Sequence, residues 1–170
     1  PTFDAARTII PESSESIQWW RIVGDRIYVT YVRDLVNVTE IFDLNGQPMG
    51  CVRSPGEGTE DLVGRDDTLS EIFVTYESYD TPPIVLRVNS DGVCSNFELT
   101  DNLSAIRSTA LDVRRCTATA PDGVKIPYTL LGPATAFSKK HRPTVLTGYG
   151  GNGVALTPRF SQFVQVWVDL

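Results

Sequence analysis

The strongest chemical signal in the chain is a short run, Gly148-Tyr149-Gly150-Gly151-Asn152-Gly153. Read literally it satisfies G-x-G-x-x-G, with the β-rich Pro143-Thr144-Val145-Leu146 before it and a helix-like stretch after it, the context a dinucleotide site needs. The spacing argues against that chemistry. A pyrophosphate is held by the amides of a helix that begins within the glycines, whereas here residues 154–157 intervene before Pro158, the first position suited to a helix. Asp169 lies at about the distance of a ribose-binding acid but falls at the end of that helix, not at the tip of a second strand.

The other chemistry-bearing side chains are dispersed. Glu57, Glu60 and Asp61, with Asp66 and Asp67 further on, could supply paired carboxylates, yet they lie among Pro55, Gly56 and Gly58 and read as solvated loop charge. His141, the single histidine, stands in a cationic loop with Lys139, Lys140 and Arg142 and is read as neither catalytic nor a ligand. Cys51, Cys94 and Cys116 form no C-x-x-C pair, so neither a zinc site nor a disulfide framework is expected. They read as three buried small apolar residues in a reducing, cytoplasmic compartment. No metal or cofactor is expected.

The elements that position these residues begin with a repeat. Ile27-Tyr28-Val29-Thr30-Tyr31 recurs as Ile72-Phe73-Val74-Thr75-Tyr76, 45 positions on. Each copy is followed by a second β-rich run and a glycine turn, Asn45-Gly46 or Asp91-Gly92, expected to be tight primed hairpins. Strands are predicted near 17–23, 26–33, 36–43 and 48–53, and again near 61–64, 71–77, 84–89 and 94–99. Four strands in a period of this length are the pattern of a propeller blade. A pair of blades cannot close a propeller, so the sequence is expected to be cut from something longer.

The 170 residues carry 15 Lys and Arg against 21 Asp and Glu, a net charge of −6, with 41% hydrophobic and 21% charged residues. That composition is globular, and its acidity argues against a nucleic-acid surface. No apolar run approaches the roughly 18 residues of a membrane-spanning helix, and no membrane association is expected.

After Leu111 the pattern changes. Two β-rich runs flank Ala120-Pro121-Asp122-Gly123 and predict a hairpin outside the 45-residue register. Residues 143–146 then read as a short buried strand. Thr157 is the expected N-cap and Pro158 the first residue of a helix, with Phe160, Phe163, Val164 and Trp167 on one face.

Taken together, Asp122-Gly123-Val124-Lys125-Ile126-Pro127, Arg142-Pro143-Thr144, Gly148-Tyr149-Gly150-Gly151 and Leu156-Thr157-Pro158-Arg159-Phe160-Ser161 resemble the start of the catalytic domain of the prolyl oligopeptidase family. Ile9-Ile10-Pro11-Glu12 and the 31–43 run resemble that family's penultimate blade. The resemblance implies a serine peptidase in which a β-propeller caps an α/β-hydrolase domain. The fold expected is therefore mixed: all-β four-stranded blades in residues 1–110, followed by the beginning of an α/β-hydrolase domain in residues 111–170.

The function implied is hydrolysis of short peptides, after proline, by acyl transfer through a serine. Tyr149 would donate its hydroxyl to the oxyanion on the scissile carbonyl; the plain alternative is a loop aromatic with a solvated hydroxyl. Asn152 stands where the family carries an aromatic wall for the residue before the cut, and so would bind substrate less strictly for proline. The Ser, Asp and His of the triad lie beyond Leu170 in the family's order and are absent from this chain, which alone is expected to be inactive. The alternative from a different class is a non-catalytic propeller protein that binds partners through its blades and has lost its hydrolase half.

Overall fold

A computed structural model describes residues 6–66, 68, 71–97, 110–138 and 141–169. Glu98 and Leu99 of the eighth expected strand, together with Asp67, Lys139 and Lys140, lie outside the described residues.

The repeat folds as two four-stranded antiparallel meanders. The first runs β1 (Ser16–Val23), β2 (Arg26–Arg33), β3 (Val36–Asp43) and β4 (Pro48–Cys51); the second runs β5 (Thr59–Asp66), β6 (Glu71–Glu77), β7 (Ile84–Val88) and β8 (Cys94–Asn96). Even the irregularities repeat. The β1–β2 ladder slips between Ile17 and Trp19, and the β5–β6 ladder slips between Leu62 and Gly64, each position displaced by the same 45 residues. An extra residue at the same point gives both first strands the same local bend and added twist.

Period-2 alternation decides what each sheet face meets. Ile27, Val29 and Tyr31 of β2 share one face with Phe42 and are covered by Ile9 and Ile10. Tyr28, with Ile41 opposite it on β3, points the other way into a larger core shared with the second sheet, where Ile72, Val74, Tyr76, Leu86 and Val88 meet Val23 and Val52. Ile72, Val74 and Tyr76 are the repeat equivalents of Ile27, Val29 and Tyr31. The front face of one sheet thus packs on the back face of the sheet before it, a head-to-tail arrangement that propagates as repeats do.

The glycine turns differ from the expectation of primed hairpins. At Gly46 and Gly92 only the glycine has positive φ (84° and 74°), and its amide donates to the carbonyl three residues back, on Asp43 and Asn89 respectively. The side-chain Oδ1 of those two residues accepts further loop amides, from Asn45 and Gln47 and from Asp91 and Val93. These are longer turns with a left-handed glycine at the end, stabilised by an Asx side chain that makes a primed turn unnecessary. A primed geometry appears instead at the unremarkable Asp34-Leu35, where both residues have positive φ (48° and 67°).

The predicted hairpin outside the repeat forms β9 (Asp112–Thr119) and β10 (Lys125–Gly132), paired in register from Asp112↔Gly132 to Thr119↔Lys125. A short 3-10 turn, Ala134–Ser138, folds back so that the Arg114 guanidinium lies 4.1 Å from the Phe137 ring centroid. One α-helix, α1, is found among the described residues and spans Gln162–Asp169.

The cysteines depart from the expectation of burial. Cys51 is exposed, and Cys94 and Cys116 are half-buried. Burial against the intersheet core pushes the Cys94 thiol up to about 11, with the Glu60 carboxylate adding to the effect. That holds the group as an unreactive thiol.

Candidate functional site

The glycine loop is preceded by residues 141–147, which carry no regular structure. Residues 141–150 are all exposed, Leu146 to 94%. The buried strand expected at 143–146 does not form: a strand needs partners for its amides and carbonyls, and no described strand pairs with this stretch. The expected opening of an α/β sheet is likewise not seen among the described residues.

Within the loop the backbone is specific. Asn152 and Gly153 both have positive φ (56° and 69°), and the Val154 amide donates to the Gly151 carbonyl at 3.1 Å. This is a primed turn, and Asn is among the few side chains that tolerate its first central position. Tyr149 folds over the glycine pair: a Cβ added to Gly151 would lie 3.0 Å from the Tyr149 hydroxyl oxygen. Gly151 thus lets the ring approach the backbone, and the Tyr149 side chain remains exposed at the head of the loop.

Downstream, the chain is fastened to the second sheet. Thr59 donates its hydroxyl to the Pro158 carbonyl at 2.6 Å and lies 2.7 Å from the Thr157 hydroxyl. Arg159 spreads its guanidinium between Glu77 (2.7 Å) and Asp61 (2.9 Å), while the other Glu77 oxygen accepts the Phe160 amide at 2.9 Å.

These contacts displace the helix start. Thr157 and Pro158 are held outside the helix, and Ser161 caps α1 instead, its carbonyl accepting the Gln165 amide and its hydroxyl facing the Val164 amide at 3.4 Å. The shared apolar face is not the one that is buried: Gln165 is the buried residue of α1, donating to the Tyr79 carbonyl at 3.1 Å, whereas Phe163 and Trp167 stack on each other at the surface.

A cleft of about 390 Å³ opens where the two sheets meet the hairpin, bordered by Leu35, Tyr76, Tyr79, Arg115, Thr129 and Pro158. Arg115 spans its mouth, pairing with Glu57 and donating to the Asp34 carbonyl at 3.2 Å. Neither Tyr149 nor Asn152 lines it.

Of the acidic run, Glu60 contradicts the reading as solvated loop charge. It is 2% exposed, lies between the sheets, and accepts the hydroxyls of Thr39 (2.5 Å) and Ser54. Thr39 in turn lies 2.6 Å from the Thr30 hydroxyl. Desolvation raises the Glu60 carboxyl above its ordinary value, against the lowering effect of the two hydroxyls. The neighbouring Pro and Gly residues gave a loop signal; what they missed is that Glu60 already belongs to β5.

No family model matches the chain. The prolyl endopeptidase of Elizabethkingia meningoseptica is 25% identical over 170 residues, which is 99% of this chain and 24% of that protein. A solved prolyl endopeptidase, from a study of inter-domain dynamics in catalysis and specificity, superposes with a TM-score of 0.71 at 29% identity over 96% of this chain and 24% of its own. Homologues of this chain include prolyl endopeptidases. The chain spans about a quarter of the length of these relatives. A post-proline cleaving enzyme from Rickettsia typhi shares the fold, with a TM-score of 0.73 at 24% identity over 94% of this chain and 23% of its own. The family resemblance first carried by the 122–127 and 148–161 motifs thus holds along nearly the whole chain, across both repeated sheets as well as the glycine loop.

Proposed function

We propose that this chain is a segment of a serine oligopeptidase of the prolyl oligopeptidase type, which hydrolyses short peptides after proline by acyl transfer. In this reading residues 1–110 are two propeller blades and residues 111–170 open the α/β-hydrolase domain. The observation that supports it is the similarity to prolyl endopeptidases over 99% of the chain in sequence and 96% in structure.

Tyr149 is the oxyanion donor. As the nucleophile attacks, the scissile carbonyl oxygen gains negative charge, and a phenol hydroxyl held at hydrogen-bond distance stabilises that charge more than it stabilises the ground-state carbonyl. Tyr149 is exposed in this segment, and in this reading the rest of the catalytic domain covers it, lowering the local dielectric and strengthening the bond. The same remainder supplies the Ser, Asp and His. Asn152, three residues on, borders the pocket for the residue before the cut; its amide replaces apolar surface and relaxes the preference for proline. The reaction needs no cofactor, and the protein works in the cytoplasm on small peptides.

The test is turnover of a chromogenic prolyl peptide by the whole protein, alongside residues 1–170 alone. Hydrolysis by the former and none by the latter is expected. A whole protein that cleaves no peptide would favour the non-catalytic propeller reading.

A further inference from the structure

The 148–161 segment carries Tyr149 yet has no sheet partner of its own, so something else must fix where it sits. The apolar clusters of buried residues draw on both repeated sheets and take nothing from it. What holds it is polar and lies at its downstream end: the Thr59 hydroxyl, and above all Arg159 between Glu77 and Asp61.

Glu77 is the better-placed partner. Its side chain is 14% exposed, against 52% for Asp61, and its two oxygens serve the guanidinium and the Phe160 amide separately. A guanidinium reaching two carboxylates at once defines an orientation as well as a charge contact, which an ammonium cannot copy.

We propose that Arg159 is a positioning residue for catalysis: clasped by Glu77 and Asp61 on the second sheet, it sets the seat of the segment and thereby the placement of the Tyr149 hydroxyl. This rests on the oligopeptidase reading for its effect on turnover, but not for the seating itself. Arg159 touches no reacting atom in this account. It acts through ten residues of loop whose only described anchorage is at that end, and small errors of placement in a transition-state donor are costly.

Two readouts on the whole protein separate the seating from the function. In the first, hydrogen exchange of the 157–165 peptide, including the Phe160 amide, is compared for wild type, Arg159→Met and Arg159→Lys at low and molar salt. Exchange several-fold faster in Arg159→Met is expected, with partial recovery in Arg159→Lys. Wild type should approach Arg159→Met as salt screens the half-exposed ion pairs. In the second, Arg159→Met should lower kcat about 10-fold with KM for a short prolyl peptide little changed. Should Arg159→Met fail to fold, Asp61→Asn leaves the Glu77 contact intact and should move both readouts in the same direction by less.

Unchanged exchange in the 157–165 peptide in these variants overturns the proposal, as does a change confined to KM. A wild-type protein without turnover overturns the oligopeptidase reading, and the exchange comparison then decides the seating by itself.

Discussion

Tyr149 and Glu60 are the side chains whose chemistry the fold most constrains, one by exposure and one by burial. For the whole protein, Tyr149→Phe removes a single donor while keeping the ring, so kcat should fall by roughly 10- to 1,000-fold with KM little altered. Steady-state kinetics under conditions where chemistry limits turnover will show it; an unaltered kcat would mean that the oxyanion role sits on another residue. Glu60 gives a pH dependence of definite sign. Its pKa is raised in the folded state, so its contribution to stability is fully present below the ordinary value of 4.5 and is lost as pH rises through the folded value. Glu60→Gln keeps the shape, removes the titration and should flatten this part of the profile. Thermal melts across the acid-to-neutral range should show wild type losing ground to Glu60→Gln as pH rises, and parallel profiles would show that Glu60 ionises in the fold as freely as in water. The burial of Glu60 was not legible from its neighbours, because Pro55, Gly56 and Gly58 mark a turn that ends two residues earlier than expected, β5 beginning at Thr59 rather than Asp61. Asn152 was legible only as a departure from an aromatic wall; its left-handed backbone gives a second reason for the residue. Asn152→Gly should therefore leave stability nearly unchanged, while Asn152→Phe should cost about 1–2 kcal/mol in a denaturation series.

At the scale of elements, strands inside the repeat were readable because each has alternating side chains and a neighbour within the same segment. The β2 and β6 sequences, nearly identical in pattern, sit at the centres of their sheets and are buried on the faces that alternation assigns. The last third follows a different rule. Pro143-Thr144-Val145-Leu146 has strand-like composition but no partner among the described residues, and α1 has an apolar face with no sheet beneath it, so the buried Gln165 and its bond to Tyr79 decide the helix orientation instead. Turn signals were readable as locations and not as types: Asn45-Gly46 forms the longer turn and Asn152-Gly153 the primed one, the difference lying in the Asp43 side chain that caps the former. The close approach of the chain entering β5 to the neighbouring strand β6 can be probed at Gly58. A Cβ at Gly58 would lie 2.4 Å from the Glu77 carbonyl oxygen, whereas one at Gly123, with φ at 88°, meets nothing within 4 Å. Gly58→Ala should thus force the backbone of β6 to move and destabilise the sheets by more than about 2 kcal/mol, against about 1 kcal/mol of left-handed strain for Gly123→Ala. Equal losses for the two in urea titrations would contradict the close approach.

For the whole molecule, two equivalent sheets pack head to tail, and the hairpin and the 157–165 segment are fastened to them through arginines on carboxylates, Arg115 on Glu57 and Arg159 on Glu77 and Asp61. The 170-residue chain by itself exposes Ile17, Trp20 and Ile22 along β1, Ile126, Tyr128 and Leu130 on β10, and Phe163 and Trp167 on α1. Apolar surface of this extent should drive association in isolation, which light scattering against concentration will detect; a compact monomer with a sharp cooperative melt would count against the division into blades and catalytic opening. The most direct measurement is the mapping of the nucleophile. The whole protein is treated with a fluorophosphonate probe, with and without a prolyl peptide as competitor, and the modified residue is located by mass spectrometry. The account predicts stoichiometric labelling of one serine outside residues 1–170, suppressed by the peptide; labelling of a serine within these residues, or of none, would contradict it.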